Sequence, residues 1–247
     1  MDYKIIVGLP AYNEESGLAK LLDKLSRLES DSHPPLTILV VNDGSTDGTE
    51  RILNRYAGLH PNITYLNHPY NKGLGEAIKT MFGHVCEHYG ESDVLVTLDA
   101  DNTHDPEMIP EMIGKLKSER LDLVIASRFM EGGKEIGLPV YRKLYSRGAA
   151  FLLKMFFPIP GVKDYSSGYR CYRVGYLQKA MDSYNKRLVT SRGFECMAEI
   201  MARFSKLGLK AGEYPLVLHY ELKEDKSKMK AFRTIVGYFH LIKRVNS

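Results

Sequence analysis

The sequence contains no tryptophan and only three cysteines, Cys86, Cys171 and Cys196, among its 247 residues. These form neither an even set nor a CxxC pair, which removes a disulfide framework and points to a reducing, cytosolic setting. Long apolar runs are missing as well. The longest apolar region, residues 149–162, is broken by Lys154, Pro158 and Pro160. It falls short of the roughly 20 residues that a membrane-spanning helix requires. There is no charged-then-apolar leader, no Gly/Ser or Pro-rich linker, and no internal repeat. The expectation is a single domain that does not cross a bilayer.

An excess of either charge is lacking over most of the chain, and then one sign accumulates. The net charge is +4, but residues 203–247 hold ten Lys/Arg against four Asp/Glu, a local +6 that leaves −2 for the preceding 202 residues. A basic end suits an anionic partner such as a lipid surface or a phosphate, or is simply a solvated face.

What the chain does have is one pattern used three times. Short, β-branched apolar runs at 5–9, 36–41 and 94–98 each end in acidic and turn-forming residues. Such runs predict strands buried on both faces of a parallel sheet. Helical spacing fills the intervals at 17–28, 47–56 and 74–89. Alternating strand and helix imply right-handed βαβ units, whose ligands gather beyond the carboxyl ends of the strands. Glu14, Asp43, Asp99 and Asp101 are therefore expected to converge on one crevice.

Asp99 and Asp101 carry the most chemistry. Carboxylates so close repel unless a cation lies between or beside them, and a hard divalent ion completed by phosphate oxygens would serve. Asp105 before Pro106 has a simpler reading, as helix N-cap and first helical residue. His104 in this polar loop is read as a hydrogen-bonding residue. In NKGLGEA at 71–77, two glycines permit close backbone approach to a ligand, and Lys72 could neutralise a phosphate. Arg142, Ser146 and Arg147 fall on one predicted helix, with Arg142 and Ser146 one turn apart. They could form a fork for a phosphate or belong to a solvated face. The Ser- and Tyr-bearing loop at 164–170 suits a substrate contact. Residues 228–245 form an amphipathic helix whose stripe would be Phe232, Ile235, Val236, Phe239 and Ile242, either packed on the core or lying on a membrane surface.

Taken in order, PAYNEE at 10–15, VNDGSTDGT at 41–49, NKGLGEA at 71–77, DADNTHDP at 99–106, SRF at 127–129, DYSSGYR at 164–170 and GFECMAEI at 193–200 resemble the family 2 inverting glycosyltransferases of the GT-A fold. Within them the resemblance is to the dolichyl- or polyprenyl-phosphate mannose synthase-like branch. It implies an α/β, Rossmann-like single domain with a mainly parallel central sheet flanked by helices. That domain would cover 1–228, with a nucleotide-binding half to about 105 and an acceptor half from 106, followed by a basic amphipathic helix at 229–247.

The resemblance further implies a nucleotide-diphosphate sugar donor, GDP-mannose or a UDP-sugar. Pro10, Tyr12, Glu14, Asp43, Lys72 and Asp99 would bind it. Asp99 and Asp101 would hold Mg²⁺ or Mn²⁺. Asp101, Arg128 and Asp164 would be the catalytic set, with Asp164 or Glu195 as base for a hydroxyl acceptor. Arg142, Ser146, Arg147 and Ser167 would bind the acceptor, a polyprenyl or dolichyl phosphate. No nucleic acid is implied, and the location would be cytoplasmic, with peripheral contact to the cytoplasmic face of a membrane through residues 142–157 and the last helix. Thr103 stands where the branch often has Gln, and Leu222 and Asp225 where it has Arg and Gly.

Two other readings compete. Asp99, Asp101 and Thr103 also spell the DxDxT loop of a haloacid dehalogenase-like, Mg²⁺-dependent phosphatase, with Asp99 as nucleophile. A non-catalytic nucleotide-sugar-binding subunit would keep the fold without turnover.

Overall fold

The computed structural model describes residues 3–31, 34–222 and 231–246. The expected domain boundary at 228, together with Asp225, lies outside them. The first half alternates as its apolar runs predict: β1 (Ile5–Ala11), α1 (Leu18–Asp31), β2 (Leu36–Asn42), α2 (Thr49–Leu59), β3 (Ile63–Asn67), α3 (Leu74–His88) and β4 (Val94–Thr97). A 3₁₀ turn at Pro106–Met108 leads into α4 (Ile109–Ser118), β5 (Leu123–Ser127), β6 (Lys134–Ile136) and α5 (Val140–Phe156). Then come β7 (Arg170–Arg173), α6 (Val174–Ser183), α7 (Cys196–Ser205), β8 (Ala211–Pro215), β9 (Val217–His219) and α8 (Ala231–Asn246).

Seven strands form one sheet in the order β3-β2-β1-β4-β7-β5-β8, and β6 pairs with β9 as a separate parallel ribbon. In the large sheet β7 runs antiparallel to both of its neighbours, and every other pairing is parallel. The sheet passes through both expected halves without a break. Its two faces bury two apolar layers, as alternation along a strand requires. Ile6, Leu39 and Leu95 face α3, α6 and α7, while Ile5, Val7 and Leu9 face α1 and α4. On α1 the i, i+3, i+4, i+7 set Leu18, Leu21, Leu22 and Leu25 is completely buried.

Register brings the loops together. Ala11 pairs with Asn42 and Asn42 with Asn67, so β1, β2 and β3 end in one row, and Thr97 near the end of β4 lies opposite Gly8. The loops after β1, β2, β3 and β4 thus leave the same edge, which is the crevice expected from the sequence.

The last helix differs from its predicted stripe. Thr234, Tyr238 and Leu241 are buried, and Ile242 and Val245 pack partly against the core, whereas Phe239 is 58% exposed. The side chains of Phe232, Ile235 and Val236 lie outside the described residues. Tyr238, outside the expected stripe and amphipathic by nature, faces the core, while Phe239 is left for the alternative of a surface contact. On α5 the structure also divides the expected surface group: Leu153 and Phe157 belong to the core, while Phe151, Met155 and Phe156 remain exposed.

Candidate active site

The β1 and β2 loops are stitched together by side-chain oxygens. Asn13 N donates to Ser45 Oγ (2.9 Å), Glu14 N to Thr49 Oγ1 (2.9 Å), and Thr46 N to Asn13 Oδ1 (2.8 Å). Beside them lies a cavity of about 600 Å³ whose walls include Tyr12, Asn42, Ser45, Asn67, His68 and Tyr70. Two tyrosines with a rim of amide and hydroxyl groups suit a planar, polar ligand such as a nucleoside. Pro10, half-buried, ends β1 opposite Val41 behind this wall.

Asp43 is buried, and its carboxylate serves the protein itself. Oδ1 lies 2.6 Å from His68 Nδ1 and accepts from Lys72 N (3.0 Å), while Oδ2 accepts from Gly73 N (2.8 Å). The two glycines expected to admit a ligand admit another part of the chain instead. A Cβ on Gly75 would stand 1.7 Å from the carbonyl oxygen of Ser191, and one on Gly73 2.5 Å from that of Arg192. Gly73 also adopts φ +98°, which side chains rarely tolerate. Lys72 Nζ lies over Tyr70, a wall residue of that cavity, 5.8 Å from the ring centre.

The loop after β4 is folded around its own acidic residues. Asp101 Oδ1 accepts from Thr103 N (3.1 Å) and Thr103 Oγ1 (2.6 Å), so Thr103 orients this carboxylate. His104 Nδ1 accepts from Asp99 N (3.2 Å), the hydrogen-bonding role expected of it, and its ring lies against Tyr169. Asp105 caps the 3₁₀ turn through Glu107 N, again as expected. Asp99 Oδ1 faces Gly168, 3.1 Å from where a Cβ would be. The loop at 164–168 therefore abuts the Asp99 carboxylate, and Thr97 Oγ1 fastens it by donating to Gly168 O (2.7 Å).

In that loop Asp164, completely buried, meets Arg128 fork to fork, with Nε to Oδ2 and Nη2 to Oδ1 both at 2.8 Å. Arg128 Nη2 also donates to Ser166 Oγ, and Ser166 N and Ser167 N donate to Asp164 Oδ1. Burial alone would raise the Asp164 pKa; the Arg128 charge and these donors outweigh it and hold the carboxyl below its usual range. A carboxylate so stabilised is a poor proton acceptor, so the expectation of Asp164 as a base is replaced by one of support for Arg128. Glu195 is also turned elsewhere, accepting from Gly193 N and packing against Gly237 of α8. The Ser167 hydroxyl is buried without a hydrogen-bond partner among the described residues.

Arg128 forms one end of a second cavity, of about 400 Å³, together with Arg147, Lys154 and Lys163. Phe129, Met130, Ala150 and Phe151 supply its apolar lining. Arg147, Ala150, Phe151 and Lys154 share one face of α5 by their i, i+3, i+4, i+7 spacing. Of the predicted fork, Arg147 reaches this cavity and Ser146 sits half-buried outside its lining; the Arg142 side chain lies outside the described residues. Lys163 is not legible in the sequence because its position depends on Glu213. That buried strand residue accepts from Lys163 N (2.6 Å) and Asp164 N (2.7 Å), and burial raises its pKa. Its one sequence signal is a carboxylate inside the run AGEYP. None of the three thiols is activated: burial raises Cys86 to about 12 and pushes Cys171 and Cys196 up as well.

The sequence matches the model of glycosyl transferase family 2 over residues 6–180. An undecaprenyl-phosphate mannosyltransferase of Micrococcus luteus is 31% identical over 224 residues, covering 90% of this chain and 87% of that protein. A dolichol-phosphate mannosyltransferase of Pyrococcus furiosus is 29% identical over 245 residues, 98% of this chain but 63% of the relative, so this chain spans under two thirds of that protein's length. Among solved structures, glucosyl-3-phosphoglycerate synthase from Mycobacterium tuberculosis, determined with Mn²⁺, UDP and glucosyl-3-phosphoglycerate, superposes with a TM-score of 0.70 at 20% identity. The match covers 98% of this chain and 80% of that one, and shows a shared fold.

Proposed function

This chain belongs to glycosyl transferase family 2 and is a glycosyltransferase; from that premise we propose that it moves a hexose from a nucleotide-diphosphate sugar to a polyprenyl phosphate, with inversion at the anomeric carbon. The observation that carries the acceptor is the second cavity. Four cations beside Phe129, Met130 and Phe151 fit a phosphate joined to a hydrocarbon, and a water-soluble phosphate would leave the apolar wall unused.

The donor's nucleoside would occupy the tyrosine-walled cavity, with Lys72 at its edge. Asp99 and Asp101 present hard oxygen donors on one short loop, and two carboxylates plus substrate phosphates form a fitting set for Mg²⁺ or Mn²⁺. When bound, such an ion would neutralise the diphosphate and ease its departure. Thr103 orients Asp101 for that task, and Gly168 brings the acceptor-side loop against Asp99. Arg147, Lys154 and Lys163 would hold the acceptor phosphate while Arg128, fixed by Asp164, closes the cavity toward the donor. The phosphate oxygen is already an anion, so its attack needs no base, in agreement with an Asp164 that is occupied by Arg128. The phosphatase and non-catalytic readings are not favoured by the family relationship.

Membrane contact would come through α5 and α8. Val140, Tyr141, Phe151, Met155 and Phe156 are exposed on α5, and Phe239 on α8, with Lys154 among them. Apolar bulk beside cations suits an anionic leaflet on the cytoplasmic side. No described helix is long and apolar enough to cross a membrane.

The test is transfer of radiolabelled sugar from GDP-mannose, UDP-glucose or UDP-N-acetylglucosamine, with Mn²⁺ or EDTA, to undecaprenyl phosphate in vesicles or to 3-phosphoglycerate in solution. Metal-dependent product in the lipid phase is expected and would identify the base. Product only on the soluble phosphate would overturn the lipid acceptor, and none with any donor would favour a subunit without turnover.

A further inference from the structure

The start of α3, just beyond the Tyr70 and Asn71 wall of the first cavity, is held from two sides. Asp43 holds it on one, through the amides of Lys72 and Gly73. On the other, Gly75 N donates to Arg192 O at 2.9 Å, and the missing Cβ atoms of Gly73 and Gly75 let residues 191–192 lie directly on it. That second support is organised by one carboxylate. Glu199 on α7 is completely buried; its Oε2 accepts from Ser191 N (2.7 Å) and Thr190 N (3.0 Å), and its Oε1 from Thr190 Oγ1 (2.5 Å).

Two guanidinium groups meet Glu199. Arg203 is one turn along the same helix, with Nη2 at 3.0 Å, and already supplies the counter-charge. The second is Arg244 from α8, whose Nη2 is 3.0 Å from Glu199 Oε1 and 2.8 Å from Ser191 Oγ. It bridges the carboxylate and the supporting loop. The same helix buries Tyr238 in the core. The C-terminal helix thus reaches the support of the 72–75 loop through Arg244, which lines neither cavity.

We propose that Glu199 and Arg244 are positioning residues for the donor: through residues 190–192 they set the loop at 72–75, and the C-terminal helix thereby tunes affinity for a nucleoside diphosphate. The proposal rests on the donor reading above. Arg244 does not touch the nucleotide. It fixes the support on which the loop lies.

The experiment is calorimetric titration of UDP and GDP with Mn²⁺ into the full chain as wild type, Arg244→Ala, Arg244→Lys, Glu199→Gln and the exposed α8 control His240→Ala, each with a melting curve. Arg244→Ala should weaken the better nucleotide about tenfold, the scale of one charge-assisted contact, while remaining folded at the titration temperature. Arg244→Lys should recover to within about threefold, and His240→Ala should match wild type. In the transfer assay the Arg244→Ala effect should fall on the donor KM and leave the acceptor KM unchanged. Equal nucleotide binding by Arg244→Ala and wild type would overturn the proposal alone. Failure of the wild type to bind either nucleotide would overturn it together with the donor reading. Glu199→Gln is expected to follow Arg244→Ala in direction; because the buried carboxylate also supports the fold, the half-exposed Arg244 decides the matter.

Discussion

Arg128 and Asp164, thirty-six residues apart in sequence, are joined by two parallel hydrogen bonds of 2.8 Å, with the carboxylate completely buried and the guanidinium 14% exposed. Such planar, bidentate pairing is a property of arginine that lysine does not reproduce. Arg128→Lys should therefore fold, yet lose most transfer activity, because one ammonium cannot satisfy both oxygens. Asp164→Ala should cost about 3 kcal/mol in denaturant unfolding, the low end for a broken buried pair, because Glu135, 3.6 Å from Arg128, still faces the cation. Activity in Arg128→Lys equal to wild type would show that the fork geometry is irrelevant.

Acid should act through opposing groups. The Asp164 and Glu199 pKa values are lowered on folding, despite desolvation, by Arg128 and by hydroxyl and amide donors respectively. Their contributions are full above the ordinary values of 3.8 and 4.5 and are lost as pH falls through the lowered ones. Glu213, raised by burial, has the opposite sign: its unfavourable contribution disappears as pH falls through its raised value. Melting temperature should therefore rise slightly on mild acidification and drop steeply below the ordinary carboxylate range. In Asp164→Asn the steep drop should be shallower. Parallel curves for the two proteins would remove Asp164 from the explanation.

Two glycines of α3 should respond in opposite directions. A methyl group on Gly83 would point into open space, with nothing within 4 Å, so Gly83→Ala should stabilise the chain by about 0.5–1 kcal/mol through helix propensity. Gly75→Ala drives a methyl group into Ser191 O and should lower both melting temperature and nucleotide affinity. Calorimetry on the pair separates the general helix effect from the local one.

The acceptor cavity makes a charge prediction. Lys154→Glu places a carboxylate in a lining that otherwise presents Arg128, Arg147 and Lys163. The acceptor KM should rise by about tenfold or more at low salt, with the donor KM unchanged, and the difference should shrink as salt screens the site. An equal rise in both constants would locate Lys154 outside acceptor binding.

The parts legible in sequence are those with local causes. β1, β2 and β4 announce themselves as continuous apolar runs, and their shared edge follows from right-handed crossovers. Asp105 and His104 play the local roles expected of them. What cannot be read depends on distant partners. β7 is four residues long and begins and ends in arginine, so nothing marks it as a central strand. Asp164 resembles a free loop carboxylate until Arg128 is folded onto it. Lys154 and Lys163 become a pair only when α5 and the 164–168 loop meet. On α8 the sequence leaves open which way the apolar stripe faces, and only the folded chain shows Ile242 packed on the core and Phe239 exposed.

The inversion of β7 has a mechanical meaning. This strand lies between β4, which carries the Asp99 loop, and β5, which leads into Arg128, and it hydrogen-bonds to both. On the proposed reading, the donor and acceptor sides are joined along a continuous ladder. On that reading the separation of the two substrate sites is set largely by the sheet.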